Sequence, residues 1–173
     1  MAGAIDEVVG QVQAIAQVYG LQVGDTGPLL LARVLEAITA SVQRTFGRTI
    51  RCRVEGEGTP AWTLPEVEAI PIALTLNELL TNAIKHGPAD DAGDEVSCAL
   101  EGQADGVRVV ISNRARLAPG FSLARIPNGV SGLGLVRALL PRRSATLRIE
   151  QADEHVVATV DLAEPVVVRP AAA

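Results

Sequence analysis

The sequence predicts an α+β protein in which helices pack on one sheet to form a two-layer α/β sandwich. Two features of the sequence lead to this prediction. The first half of the chain has helical spacing of apolar residues around one strand, and the second half has two strand pairs separated by a loop and a short helix. This order of elements suits one mixed or antiparallel sheet with helices against it.

The composition is that of a folded domain with an aliphatic core. The chain has 173 residues, 48% of them hydrophobic, 20% charged and only 2% aromatic. A chain of this length can bury a substantial core. The net charge of −5 gives no reason to expect nucleic acid as a partner. No apolar run approaches the ~20 residues that a membrane segment needs. The two cysteines, Cys52 and Cys98, have no metal-type spacing, and a reduced, cytoplasmic setting is expected.

The first half of the chain is expected to contain three helices and one strand. Helical spacing of apolar residues predicts the helices, and alternation of apolar and polar residues predicts the strand. Proline in a first turn and glycine after a last turn indicate helix ends. The predicted elements are a helix over 3–18 that Gly20 could end, a helix from Pro28 to Gly47, a strand over 49–54, and a helix from Pro71 to about His86.

The second half is expected to be richer in strands. The predicted elements are strands over 95–100 and 107–113, a loop over 114–131, a helix over 133–140, and strands over 146–150 and 155–162. The loop is long and rich in Gly, Pro, Arg and Asn, and loops of this length often act as lids or binding loops. The residues from Pro165 onward are expected to form a flexible tail.

The third predicted helix places several polar residues on one arc. With Glu78 at zero on a helical wheel, Asn82 falls at about +40° and Lys85 at about −20°, flanked by Thr75 and His86. The Asn82 oxygen could bind Mg²⁺, which prefers oxygen ligands and bridges phosphates. Glu78 could accept from a metal-bound water or act as a base, and Lys85 could meet a phosphate. The alternative is an ordinary solvated helix face, but such faces usually carry more Glu and Lys.

A glycine-rich turn precedes the last predicted helix. Glycine lets a backbone approach a ligand closely, and N–H groups at a helix start can face an anion. The turn is therefore a candidate phosphate site, although many helices begin after glycines without binding anything. Its candidate residues are Gly129, Ser131, Gly132, Leu133, Gly134 and Leu135.

Two segments resemble the motifs of a known family. LNELLTNAIKHG (76–87) resembles the N box of GHKL-type ATPases, in the form found in bacterial sensor histidine kinases of the HWE-like class. SGLGLVRALL (131–140) resembles their second glycine box. QVQAIAQVYGLQ (11–22) resembles the end of the dimerisation helix that precedes the catalytic domain in those kinases. The resemblance covers nearly the whole chain.

The resemblance implies a Bergerat ATP-binding fold, with one mixed, mainly antiparallel sheet and helices on one face. It implies ATP and Mg²⁺ as cofactors, Asn82 as the metal ligand, and catalytic roles for Glu78, Lys85 and His86. It also implies the division 1–22 dimerisation helix, 23–164 ATP-binding domain and 165–173 tail. The implied function is to donate the γ-phosphate of ATP to a histidine outside this chain, in a cytoplasmic two-component system. The implied partners are a histidine-bearing dimerisation domain or partner chain, a response regulator, and a second copy of the chain in a homodimer.

Two departures from the family pattern affect this expectation. In the family, an Asp in the first glycine box receives the adenine amino group; strand alternation assigns that position to Asn113, or to Ser112 if the register slips by one. An Asn oxygen can still accept, without the charge. The box glycines are replaced by Arg114, Ala115 and Arg116. In addition, neither histidine of the chain lies on a long helix before the ATP domain, so no acceptor histidine is evident.

Two other functions remain open on the sequence. A degenerate, non-catalytic relative would keep the fold as a protein-interaction module. An anti-sigma-factor-type serine kinase would use the same fold to phosphorylate an antagonist protein.

Overall fold

The computed structural model describes residues 2–24, 27–88, 96–140 and 142–171, which form four α-helices and seven strands. The elements are α1 Ala2–Gly24, β1 Leu29–Leu30, α2 Leu31–Phe46, β2 Ile50–Glu55, β3 Thr63–Leu64, α3 Glu66–Lys85, β4 Val96–Gln103, β5 Gly106–Arg114, α4 Gly132–Leu139, β6 Ala145–Ala152 and β7 His155–Ala163. Met1, Glu95 at the start of a predicted strand, and the last two residues of the predicted tail lie outside these ranges.

Five strands form the main sheet in the order β2-β4-β5-β7-β6. Only the β2–β4 pair is parallel, and the other three pairs are antiparallel. Along β5 the residues Val107, Val109 and Ile111 are buried, whereas Arg108 and Val110 between them are partly exposed. The helices therefore cover one face of the sheet. The predicted two-layer sandwich with a mixed, mainly antiparallel sheet is confirmed.

Helix α3 lies at the centre of the helical layer and contacts α1, α2 and α4. Its Ile72, Leu76 and Leu80 are almost fully buried. Burying an aliphatic side chain of this size contributes about 1.5–3 kcal/mol, so these residues anchor the helix firmly. Helix α1 joins the same core through Ala14 and Val18. The sequence thus places the motif-bearing helix between the sheet and the N-terminal helix.

The third helix begins at Glu66, five residues earlier than predicted. Pro71 therefore lies inside the helix and not in its first turn. Pro65 precedes the first turn, and Glu66 and Glu68 stand in that turn, where acidic groups favour the positive end of the helix dipole. Proline at position 71 cannot donate to the carbonyl of Val67 one turn earlier. Val67 is 79% exposed, so water can reach that region of the first turn. This exposure explains why the proline is tolerated.

Two further predicted helix ends are wrong. Helix α1 does not end near Gly20 but continues to Gly24, with Leu21 packed against the core. That packing offsets the cost of about 1 kcal/mol that a glycine imposes inside a helix. Helix α2 begins at Leu31 rather than at Pro28, because Leu29 and Leu30 first pair with β3.

The start of the predicted flexible tail is packed onto the fold. Val166 and Val167 are buried, and Val168 exchanges backbone hydrogen bonds with Thr63 at 2.8 and 3.1 Å. Apolar burial and strand-like pairing therefore hold this segment, contrary to the prediction of a flexible tail from Pro165. The division at residue 22 stays a prediction.

Candidate functional site

A cavity of about 350 Å³ opens between α3, the strands β5–β7 and the loop after β5. This is within the range of about 300–1,000 Å³ that ligand pockets usually occupy. Most of its lining is apolar, and the polar groups come from three elements. The lining residues are Leu79, Asn82, Ala83, His86, Ile111, Asn113, Ala115, Arg116, Leu117, Ala118, Phe121, Leu133, Ile149, Val156 and Ala158.

Asn113 is the polar residue on the floor of this cavity. It pairs with Val156 of β7 and is 6% exposed, and its side chain lies on the same face as the core residue Ile111. Its buried Nδ2 atom has no hydrogen-bond partner among the described residues. Ser112 is not among the lining residues and lies on the alternate face of β5. The strand register thus brings Asn113, and not Ser112, to the cavity.

The polar arc predicted on the third helix is divided between two cavities. Asn82 and His86, at about +40° and +80° on the wheel, line the cavity beside the sheet. Glu78 and Lys85, at about 0° and −20°, line a second cavity of about 250 Å³ between α1, α2 and α3. The structure therefore brings Asn82, His86 and Asn113 together and separates them from Glu78 and Lys85.

Glu78 lies at the junction of three helices and is only 3% exposed. Its Oε1 accepts a hydrogen bond of 3.2 Å from Gln11 of α1, and its Oε2 accepts one of 3.1 Å from the N–H of Gly132 at the start of α4. The Gln11 amide also donates to the carbonyl of Val130 at 2.9 Å. We call these four residues the Gln11–Glu78–Gly132 network. It links the N-terminal helix to the glycine turn.

Burial is the main influence on the charge state of Glu78. It raises the pKa of this carboxyl above the ordinary value of 4.5, because the charged form loses solvation. The hydrogen bonds from Gln11 and Gly132 act in the opposite direction. The nearby carboxylate of Glu7 raises the pKa and the ammonium of Lys85 lowers it, both with smaller effect.

The glycine turn packs tightly against itself. The N–H of Gly129 donates to the carbonyl of Gly134 at 2.9 Å, and the N–H of Leu135 donates to Ser131 at 3.1 Å. A Cβ on Gly134 would lie 3.1–3.2 Å from the backbone of Pro127 and Gly129, so glycine is required by space at this position. Of the six candidate residues of the turn, only Leu133 lines the 350 Å³ cavity.

A family model for the histidine kinase-like ATPase domain matches residues 47–159, well over half of the chain. The chain belongs to this family. The match includes α3, the cavity strands and the glycine turn, so the histidine kinase-like ATPase domain contains the candidate site except for the contributions of α1 and α2 to the second cavity.

Several solved structures of histidine kinases have the same fold. The histidine kinase domain of the Erythrobacter litoralis EL346 blue-light activated kinase superposes with a TM-score of 0.71 at 21% identity, over 95% of this chain and 82% of that one. A longer structure of the same kinase gives 0.69 at 23% identity, over 93% of this chain and 49% of that one. The catalytic domain of the histidine kinase ThkA gives 0.57 at 18% identity, over 76% of this chain and 88% of that one. At these identities the likeness shows the fold alone.

No curated protein resembles the sequence closely enough to count as a relative. Within the described part of the chain, no helix is sufficiently long and apolar to cross a membrane.

Several residues of this ATPase-like site were not identified from the sequence. The length of the loop 114–131 is typical of lids and binding loops, but its individual cavity residues, such as Leu117 and Phe121, have no motif to mark them. Gln11 is one of several polar residues on α1, and its partner Glu78 is 67 positions away. Only the folded chain shows that these two meet.

Proposed function

We propose that this domain binds Mg-ATP in the 350 Å³ cavity and donates the γ-phosphate to a histidine outside the chain. The observation that carries the proposal is the grouping of Asn82, His86 and Asn113 around a largely apolar cavity in a histidine kinase-like ATPase domain. Apolar walls suit a purine base, and the polar groups suit the ends of a nucleotide.

The base end of the nucleotide is assigned to Asn113. Its carboxamide is buried at the cavity floor, with a nitrogen that has no partner within the described residues. A buried amide without a partner is costly, and a ligand that pairs with it removes that cost. The carboxamide has both donors and an acceptor, so its oxygen can receive an exocyclic amino group such as that of adenine.

The metal end is assigned to Asn82. Mg²⁺ keeps several waters and usually takes only one or two protein oxygens besides the phosphates, so a single amide oxygen facing the cavity fits this ion. The described residues contain no cluster of three or more His, Cys, Asp or Glu that could hold a metal alone, and a Mg-nucleotide does not require one. The ion would neutralise phosphate charge.

Glu78, Lys85 and the glycine turn are proposed to act on the phosphate side. Neither Glu78 nor Lys85 faces the cavity, and the Gly132 N–H already donates to Glu78. Glu78 can act as a base, and the turn can bind an anion, only if the turn separates from Glu78 when nucleotide binds. The proposed contact of Lys85 with a phosphate requires the same separation, because Lys85 lies on the same side of α3 as Glu78. His86 lines the cavity directly and needs no such change.

The acceptor and the partners are assigned by analogy. ThkA has been crystallised in complex with the response regulator TrrA, and a response regulator is the proposed downstream partner here. The proposed source of the acceptor histidine is a dimerisation domain or a partner chain, in a cytoplasmic two-component system.

Calorimetric titration with ADP and ATP, with and without Mg²⁺, tests the proposal. We expect micromolar or weaker binding that needs Mg²⁺ and is lost in Asn82→Ala. The matched control is Thr81→Ala, since Thr81 neighbours Asn82 but faces the α1 side; it should bind as the wild type does. Absence of binding at millimolar nucleotide would contradict the proposal.

The assignment of the base end has its own test. In Asn113→Asp an acceptor-only carboxylate replaces the carboxamide, so binding of ADP should tighten while binding of GDP, which offers a carbonyl there, should weaken. Unchanged affinity for both nucleotides would show that the base does not reach residue 113.

One observation favours the protein-interaction module as a second candidate. Helix α1 exposes large apolar side chains along one side: Ile5, Val8, Val12, Tyr19 and Val23. Residues 5, 12 and 19 are spaced by seven, as in helices that pair with another helix. A domain with this role alone would form a stable dimer or complex and show no thermal shift with nucleotide.

A further inference from the structure

The two cysteines lie opposite each other at one edge of the sheet. Strand β2 is an edge strand, and its parallel pairing with β4 places Cys52 in register with Cys98. Adjacent strands lie about 4.8 Å apart, and disulfides join residues whose Cα atoms are about 4.4–6.8 Å apart. The register therefore places the two Cα atoms within the range that disulfides span.

The two sulfur atoms differ in access. Cys98 is buried in the core at 1% exposure, whereas Cys52, on the edge strand β2, is exposed. A small oxidant can thus reach Cys52 from solvent and not Cys98. This combination of one accessible and one protected thiol is found in pairs where one cysteine reacts first and the other completes the bond.

The contact between the thiols favours the charged form of Cys52. The pKa of Cys52 is lowered to about 7, mainly because the Cys98 thiol donates a hydrogen bond to it; burial opposes this effect, and a bond with Thr39 adds to it. The same contact raises the pKa of Cys98, which keeps its proton. The thiolate is the nucleophilic form of cysteine, so the exposed residue of the pair is also the reactive one.

We propose that Cys52 and Cys98 are a redox-active pair that a peroxide converts into a disulfide. The Cys52 thiolate attacks one peroxide oxygen, the O–O bond breaks, and the leaving hydroxide takes a proton to become water. Cys52 is then a sulfenic acid. The Cys98 sulfur attacks the Cys52 sulfur, the S–O bond breaks, and the leaving hydroxide takes the Cys98 proton as a second water. Two thiols lose two electrons to the peroxide.

The second step is favoured by the first. Once Cys52 has become a sulfenic acid, the thiolate that held the Cys98 proton no longer exists. Burial is then the main remaining influence that raises the pKa of Cys98, and the hydroxide that leaves Cys52 takes the proton. The product ties the edge strand β2 covalently to β4, and a thiol reductant reverses it. The pair lies on different strands from those that line the nucleotide cavity, so the inference does not depend on nucleotide binding.

Mass spectrometry of the native chain after treatment with hydrogen peroxide at pH 7 tests the proposal. The chain has two cysteines, so loss of two hydrogens from a monomer identifies the Cys52–Cys98 bond. We expect it to form at least about tenfold faster in the native chain than in the urea-unfolded chain, because the fold holds the sulfurs together. Equal or slower formation would overturn the proposal, as would a Cys52 dimer or over-oxidation of Cys52 alone.

Two variants sharpen the result. In Cys98→Ser, Cys52 should stop at the sulfenic acid, which a dimedone probe captures, and no intramolecular bond should form. The double variant Cys52→Ser with Val54→Cys moves the thiol two residues along the same face of β2, about 6.6 Å from its original register. A native-state disulfide in this offset control, formed as fast as in the wild type, would show that register is not what promotes the reaction.

Discussion

The two sides of helix α3 differ in how many of their polar groups are already paired. On the sheet side, Asn113 has a buried amide nitrogen without a partner among the described residues, and Asn82 and His86 face an open cavity. On the α1 side, both oxygens of Glu78 accept hydrogen bonds from other elements of the chain.

This difference indicates which half of the site a ligand can enter directly. Polar groups without partners gain hydrogen bonds when a ligand arrives, whereas paired groups must first exchange the bonds they have. The sheet side is thus prepared for a ligand, and the α1 side is closed by the Gln11–Glu78–Gly132 network. The motif of the third helix is intact on both sides, so the sequence alone gives no sign of this asymmetry.

The largest expected effect comes from removing the centre of the network. Glu78→Ala leaves the N–H of Gly132 without its acceptor and removes one of the two acceptors of the Gln11 amide, at a partly buried junction. We expect the free energy of unfolding to fall by about 2 kcal/mol. Leaving the Gly132 donor unsatisfied costs about 1–3 kcal/mol and the lost bond to Gln11 about 1 kcal/mol, while removal of the buried charge offsets part of this loss. Urea unfolding at pH 7 measures it. A loss below about 0.5 kcal/mol would mean that the network does not stabilise the fold.

A smaller loss is expected when only the α1 end of the network is removed. Gln11→Ala deletes the bonds to Glu78 and Val130 and should cost about 1 kcal/mol. In a double-mutant cycle with Glu78→Ala the two losses should not add, because they share one interaction. The control is Gln13→Ala on the same helix, whose exposed bond with Thr45 should contribute little. Additive losses would argue against a direct link between α1 and Glu78.

The element order and the location of the motif could be predicted because they depend on local pattern. Helical spacing identifies α3, and strand alternation assigns Asn113 to the buried face of β5, where the structure places it. The helix ends that the local pattern predicted at Gly20 and Pro71 are wrong, because both residues lie inside helices. At both positions contacts or solvent exposure in the folded chain offset an unfavourable local preference.

The division of the polar arc could not be predicted either. A helical wheel places Glu78, Asn82 and Lys85 within about 60° of each other but does not say what covers the arc. Helix α1 folds back over one half of it, through a contact between residues 67 positions apart. Cys52 and Cys98 give a second example: each appears isolated in the sequence, and the parallel register makes them neighbours.

The pH dependence of stability is a further test of the α1 side, with a smaller expected effect on the free energy of unfolding. Because burial raises the pKa of Glu78 above 4.5 in the folded chain, the folded state holds its proton over a range in which the unfolded state has lost it. The contribution of Glu78 to the free energy of unfolding is therefore fully present below about pH 4.5, and it is lost as the pH rises through the raised pKa of the folded state. The free energy of unfolding of the wild type relative to Glu78→Gln should fall between pH 4.5 and neutrality. A constant or rising difference would contradict the direction of the shift.

The smallest effect on stability is expected on the sheet side. Asn113→Ala removes a buried amide whose nitrogen has no partner in the described part of the chain, and it leaves space beside a cavity that is already open. The free energy of unfolding should change by less than about 0.5 kcal/mol. The stability gained by deleting an unsatisfied polar group offsets the stability lost with the packing of the side chain. The same variant should bind nucleotide more weakly if the base contacts residue 113. A stability loss as large as that of Glu78→Ala would show that the protein itself uses the Asn113 amide, and the contrast between the two sides of α3 would then not hold.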